Sequence, residues 1–133
     1  MHLIVCVDDR LGMSFCGRRL SRDKVVTEHI LYRCAGHKLW IHPYSELLFA
    51  GKDIRIAPDF LDKAEEGDYC FAETTPLPEK IDNLESVILY HWNRTYPSTV
   101  KFPEELLAGM HMVHTEDFPG NSHDKITMEQ YIL

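Results

Sequence analysis

No stretch of the chain approaches the roughly 20 consecutive apolar residues that a membrane-spanning helix needs, so no membrane partner is expected. Basic runs are missing too, and the formal charge is -7 over 133 residues. Repulsion from a phosphate backbone therefore argues against a general nucleic-acid binder. The four cysteines, Cys6, Cys16, Cys34 and Cys70, form no C-x-x-C. No His/Cys/Asp grouping has zinc-ligand spacing, so no metal is expected. The phosphate-cradling G-x-x-x-x-G-K-[ST] and the nucleophile elbow G-x-S-x-G are both absent. Before Asp8-Asp-Arg the chain has neither a cationic start nor a long apolar segment. These features predict a cytoplasmic chain with reduced thiols. The one dense basic spot, Arg18-Arg19 with Arg22 and Lys24, reads as a solvated loop and helix start.

What remains is the composition of a folded protein: 44% hydrophobic and 26% charged, which removes disorder as the default. The length suits a single domain, residues 1–133, with one core. Protonating all eight histidines would take the charge from -7 to +1, so stability or association is expected to respond between roughly pH 7 and pH 5. His111-Met-Val-His114 tempts a metal reading. Three residues apart in a strand, the two rings would point to opposite faces. Cys6 and Cys70 lie in apolar runs, where thiols are usually inert packing. Cys16, between glycines and beside Arg18-Arg19, is the one thiol worth testing for reactivity.

Leu3–Val7 is a continuous apolar run, as expected of a strand buried on both faces. Ser21 is placed to cap a helix through Cys34, with Val26, Ile30 and Cys34 on one face and Ala35-Gly36 as its stop. Lys38–His42, Ile54–Ala57, Tyr69–Ala72 and Val87–Trp92 read as further strands. Pro43 opens a short helix through Phe49, since proline fits a first helical position. Pro58 opens another, with Phe60, Leu61 and Ala64 inward and Gly67 as its stop. Strand–helix alternation closed by the antiparallel tail around His114–Phe118 and Ile126–Ile132 predicts an α/β fold with a mainly parallel sheet.

The order from Val87-Ile-Leu-Tyr-His-Trp through Phe102-Pro, His114-Thr-Glu-Asp-Phe and Asn121-Ser-His to Ile126-Thr-Met-Glu-Gln-Tyr-Ile resembles the C-terminal end of dihydrofolate reductases. Gly12-Met13 and Gly17 resemble the family's mobile loop after its first strand. Leu20-Ser-Arg-Asp23 resembles its Leu-Pro-x-Asp/Glu segment, with serine in the proline place. The resemblance implies a three-layer dihydrofolate-reductase-like sandwich, trimmed by about one strand and one helix. It also implies that Asp23 falls on the carboxylate that binds the pteridine ring. Tyr90 falls on a threonine of that acid's hydrogen-bond network, Thr27 on a pterin-stacking aromatic, and Lys52 near the arginine for the folate tail.

Asp23 and Tyr90 are thus the candidate catalytic residues, and Thr27 and Lys52 the candidate ligand-binding ones. Each has a plainer role. An acid in a first helical turn favours the helix dipole, the Tyr90 ring can fill a pocket, and a lone loop lysine is usually solvated. The cofactor motifs depart further. The turn that holds cofactor phosphates in the family reads His42-Pro-Tyr-Ser45, and proline has no backbone donor. The later Gly-Gly turn reads Ala72-Glu73-Thr-Thr75, which adds bulk and negative charge. No NADPH cofactor is therefore expected, and without a hydride donor the reduction has no chemistry to run. Two readings follow. One is a scaffold that binds or interacts without reductase activity, self-association through a sheet edge included. The other is a small-molecule (pterin- or nucleotide-like) binder or enzyme that uses an Asp23/Tyr90 cleft.

Overall fold

The computed structural model covers Met1–Leu133. The chain begins with β1 (His2–Val7), β2 (Gly12–Phe15), β3 (Arg18–Arg19) and α1 (Lys24–Arg33). β4 (Leu39–Ile41), a 3-10 helix (Pro43–Leu48), β5 (Ile54–Ile56) and α2 (Phe60–Lys63) follow. Then come β6 (Tyr69–Ala72), β7 (Ser86–His91), β8 (Val100–Lys101) and a second 3-10 turn (Glu104–Leu107). β9 (His111–Phe118) and β10 (Ile126–Ile132) close the chain. No helix is long and apolar enough to cross a membrane.

Seven strands form one sheet in the order β5-β4-β6-β1-β7-β10-β9. The first five run parallel; β10 pairs antiparallel with β7, and β9 antiparallel with β10. β1 is central, which explains its unbroken apolar run: both of its faces are covered. Leu3, Val5 and Val7 turn to one face with Val87 and Leu89 of β7. Ile4 turns to the other with Ile88 and Tyr90. The first face is covered by α2, by Met13 of β2 and by Phe102 and Leu106. The second is covered by Val26 and Ile30 of α1 and by Phe49. The architecture is three-layered, as expected.

Several elements differ from their sequence-based expectation. α1 starts three residues after Ser21, and Asp23 is its cap: the side chain accepts from the Val25 N–H. Both residue types cap helices, so local chemistry could not choose between them. The Pro43 helix is a 3-10 helix, capped by the His42 ring accepting from the Tyr44 N–H. The Pro58 helix is a single turn, with Phe60 and Ala64 buried as expected.

The loop after β1 carries structure that its composition hides: β2, β3 and β8 form a second, antiparallel sheet. Ser14 pairs with Arg19 and Phe15 with Arg18. The two residues between, Cys16 and Gly17, both have positive φ, 49° and 80°. A two-residue loop with positive φ at both positions matches the strand twist. Between Ala72 and Ser86 the chain has no helix, only turns.

The two sheet edges are β5 and β9. β9 is the longer, with Met112 and Val113 about half exposed. Glu116 and Asp117 near its end, and a register shift against β10 at Gln130/Tyr131, limit how much regular edge it offers. His111 and His114 are exposed there.

Candidate functional site

Parallel sheets bind ligands beyond the carboxyl ends of their strands. In this protein Cys6 of β1, Phe71 and Ala72 of β6, Glu73 beyond it and Trp92 after β7 floor a cleft at those ends. Asp23, Val26, Thr27 and Ile30 wall it from α1, Leu48 and Phe49 from the 3-10 helix, and Met13 and Arg19 from the small sheet. About 410 Å³ lies between its walls, part of it open to solvent, and only about 20 Å³ of that is wide enough for a water-sized group, room for about one water.

Asp23 stands at one end, 3% exposed. Its Oδ1 accepts from the backbone N–H of Val25 and of Asn121, both at 2.9 Å. Its Oδ2 accepts from the Ser122 N–H at 2.8 Å, the Ser122 hydroxyl at 3.2 Å and His123 Nδ1 at 2.9 Å. Burial alone would push the carboxyl up. The Asn121 N–H, the His123 ring and the Ser122 and Val25 N–H groups outweigh it and hold the carboxyl well below the usual carboxylate range. The acid therefore caps α1 and fastens the 120–123 turn to it in one step. Gly120 is part of that fit: a Cβ there would stand 2.5 Å from Oδ2.

His123 is the partner that sequence reasoning missed. It is buried, and its ring lies against Trp92 with centroids 4.7 Å apart at 24°. Its Nε2 meets the Ser21 hydroxyl at 3.0 Å and the Tyr96 hydroxyl at 3.3 Å. Asn121-Ser-His lies a hundred residues from Asp23 and has no local pattern to mark it.

Glu73 closes the opposite end. Arg19 donates to it from Nε at 2.7 Å and from Nη2 at 3.1 Å, and the buried Ser45 hydroxyl donates at 2.6 Å. Arg19 also lies over the Tyr44 ring, 4.7 Å from its centroid. The expectation of a solvated Arg18-Arg19 is corrected for Arg19: its guanidinium is committed to a buried carboxylate. The hydrogen bond to Glu73 raises the Arg19 pKa against the opposing effect of burial. This arrangement does not fit a dinucleotide. A carboxylate occupies the turn after β6, its cation is already paired, and Pro43 at the start of the 3-10 helix offers no N–H.

The other expected site residues scatter. Thr27 does line the cleft, and its hydroxyl donates to the Asp23 carbonyl at 3.2 Å. Tyr90 does not: it is fully buried, with its hydroxyl 2.7 Å from His29 Nδ1, and His29 Nε2 lies 2.7 Å from Glu116. The Asp23/Tyr90 pairing is thus corrected. Asp23 turns to the 120–123 loop, while Tyr90 is shielded by the second turn of α1. Burial pushes the Tyr90 phenol far up. Lys52 is exposed beside Asp53 and Ile54 on a groove that does not include Asp23. Among the cysteines, burial pushes the Cys34 and Cys70 thiols up to about 12, and Cys16 alone is exposed.

No family model and no curated protein matches the sequence. Among solved structures the chain is similar to dihydrofolate reductase from Enterococcus faecalis, complexed with NADP(H) and RAB-propyl. The TM-score is 0.70 at 11% identity, over 98% of this chain and 94% of that one. The chain has the dihydrofolate reductase fold.

Proposed function

We propose that this protein uses the dihydrofolate reductase scaffold to bind a small molecule in the cleft between α1 and the carboxyl ends of β1, β6 and β7, without NADPH-dependent hydride transfer. The observation that supports this reading is Glu73, a buried carboxylate held by Arg19 and Ser45 where a dinucleotide phosphate would need free donors. A second anion brought there would face an unfavourable charge and a cation already neutralised. The apolar lining and the few converging polar groups, Ser21, Asp23 and Thr27, support a compact ligand. The four free cysteines suit the reducing setting of the cytoplasm.

A protein partner, or a second copy of the chain, is the other reading. It is favoured by Met112 and Val113, half exposed on the edge strand β9.

A thermal-shift titration with NADPH, dihydrofolate and methotrexate, alone and in pairs, tests the proposal. A ligand at 100 times its Kd stabilises the fold by about 2.7 kcal/mol. NADPH is expected to leave the melting temperature unchanged. A saturable NADPH shift at micromolar concentration overturns the reading. A shift with a folate compound alone identifies the ligand as pterin-like.

A further inference from the structure

Ser21, His123 and Asp23 form one hydrogen-bonded line. The serine hydroxyl stands 3.0 Å from His123 Nε2, and His123 Nδ1 stands 2.9 Å from Asp23 Oδ2. The two bonds use opposite ring nitrogens, so their roles are coupled. An ionised carboxylate has only lone pairs to offer, which puts the imidazole proton on Nδ1. The neutral ring then turns its Nε2 lone pair to the Ser21 hydroxyl. Nothing in this line is loosely held. Asp23 is fixed by three backbone N–H groups, and the imidazole lies flat against Trp92. Of the three, the serine is the half-buried one, and it lines the cleft.

We infer that Ser21 is a nucleophile for ester hydrolysis, with His123 as its general base and Asp23 as the residue that positions the base. Hydroxyl, imidazole and carboxylate in this order make up the constellation that activates serine, and it recurs on unrelated folds. A merely structural fastening of the turn needs Asp23 and His123. It gives no reason for a cleft-lining hydroxyl at Nε2, nearer than the Tyr96 hydroxyl that also reaches that nitrogen at 3.3 Å. The inference rests on reading the cleft as a small-molecule site. It deepens that reading by naming the ligand class: an ester with a short apolar acyl group, which would lie against the apolar wall that Val26, Phe49 and Trp92 contribute.

In the reaction the Ser21 oxygen bonds to the carbonyl carbon while its proton passes to Nε2. The carbon–oxygen bond to the alcohol breaks, and the leaving oxygen takes that proton. This leaves acyl-Ser21. Water then attacks the acyl carbon and gives a proton to Nε2. The acid departs as the Ser21 oxygen is reprotonated. The sum is ester plus water to acid plus alcohol.

The test uses the full chain with diisopropyl fluorophosphate, read by intact mass and peptide mapping, and p-nitrophenyl acetate, read by p-nitrophenol release. A single adduct on Ser21 is expected. Ser21→Ala should abolish the adduct and lower p-nitrophenyl acetate turnover about 10³-fold, with its melting temperature unchanged. Ser21→Cys should restore acylation, which a packing role for the hydroxyl would not do. Asp23→Asn should slow labelling and shift its pH profile, because the ring no longer holds its proton on Nδ1. Absence of an adduct on folded wild-type protein overturns the inference, as does equal turnover by Ser21→Ala. Failure here together with a folate-compound shift in the thermal titration refutes the nucleophile alone; a shift by NADPH refutes the non-reductase reading instead.

Discussion

Asp23→Asn separates a carboxylate that happens to lie in a pocket from one that holds two segments together. The substitution is nearly isosteric, so packing is preserved and hydrogen bonding is what changes. An asparagine carbonyl can keep the Oδ1 bonds to the Val25 and Asn121 N–H groups. Its amide nitrogen then replaces Oδ2 and faces the Ser122 N–H at 2.8 Å, donor against donor. Leaving that buried N–H without an acceptor costs about 1–3 kcal/mol. The charge-assisted bond to His123 is lost as well, worth about 1.5–3 kcal/mol. The ring recovers part of this by moving its proton to Nε2. A net loss of about 3 kcal/mol follows, or roughly 10 °C in Tm for a domain of this size. Urea unfolding followed by tryptophan fluorescence suits the measurement, because Trp92 lies against His123. Lys24→Ala is the control one residue away. Its exposed pair with Glu28, at 3.9 Å, contributes at most a few tenths of a kcal/mol. If Asp23→Asn costs no more than Lys24→Ala, the carboxylate is not the fastener and the account of the site is wrong.

The same carboxylate sets a pH dependence. Its folded pKa lies below the ordinary 3.8, so its contribution is fully present above that value and fades as pH falls below it. Asp8, held down by the Tyr96, Gly12 and Arg10 N–H groups against burial, and Glu85, held down by the Gly67 N–H and the N-terminus, act in the same direction. Melting temperature should therefore decline from about pH 5 downwards, and Asp23→Asn should flatten that slope; parallel curves would contradict the assignment. Gly120→Ala should cost about 1–3 kcal/mol, since its Cβ would press on Oδ2 at 2.5 Å; an unchanged urea midpoint would refute the close approach. Glu73→Gln leaves the Arg19 charge without its carboxylate and should destabilise by about 1–3 kcal/mol, yet confer no NADPH binding, because Pro43 still lacks a donor; NADPH-dependent stabilisation of that variant would mean Glu73 was the sole obstacle.

Periodicity and composition determine much of this protein unaided. The unbroken apolar runs at Leu3–Val7 and Val87–Tyr90 define the centre of a sheet covered on both sides, because only a two-faced burial tolerates no polar alternation. Val26 and Ile30 mark the buried stripe of α1 before any fold is known. The missing backbone donor at Pro43 and the negative charge at Glu73 are legible too, since donors and charge are local properties. The second sheet escapes such reading. Its strands are two to four residues long, and the Val100–Lys101 strand finds Gly12–Ser14 across more than eighty residues. Site geometry escapes it for the same reason. Asp23 and His123, Arg19 and Glu73, and His29 and Tyr90 are joined only by the crossovers of the sheet. The choice between Ser21 and Asp23 as cap was also made at a distance. Both can cap a helix, and the Asn121 and Ser122 N–H groups reward the one that is ionised.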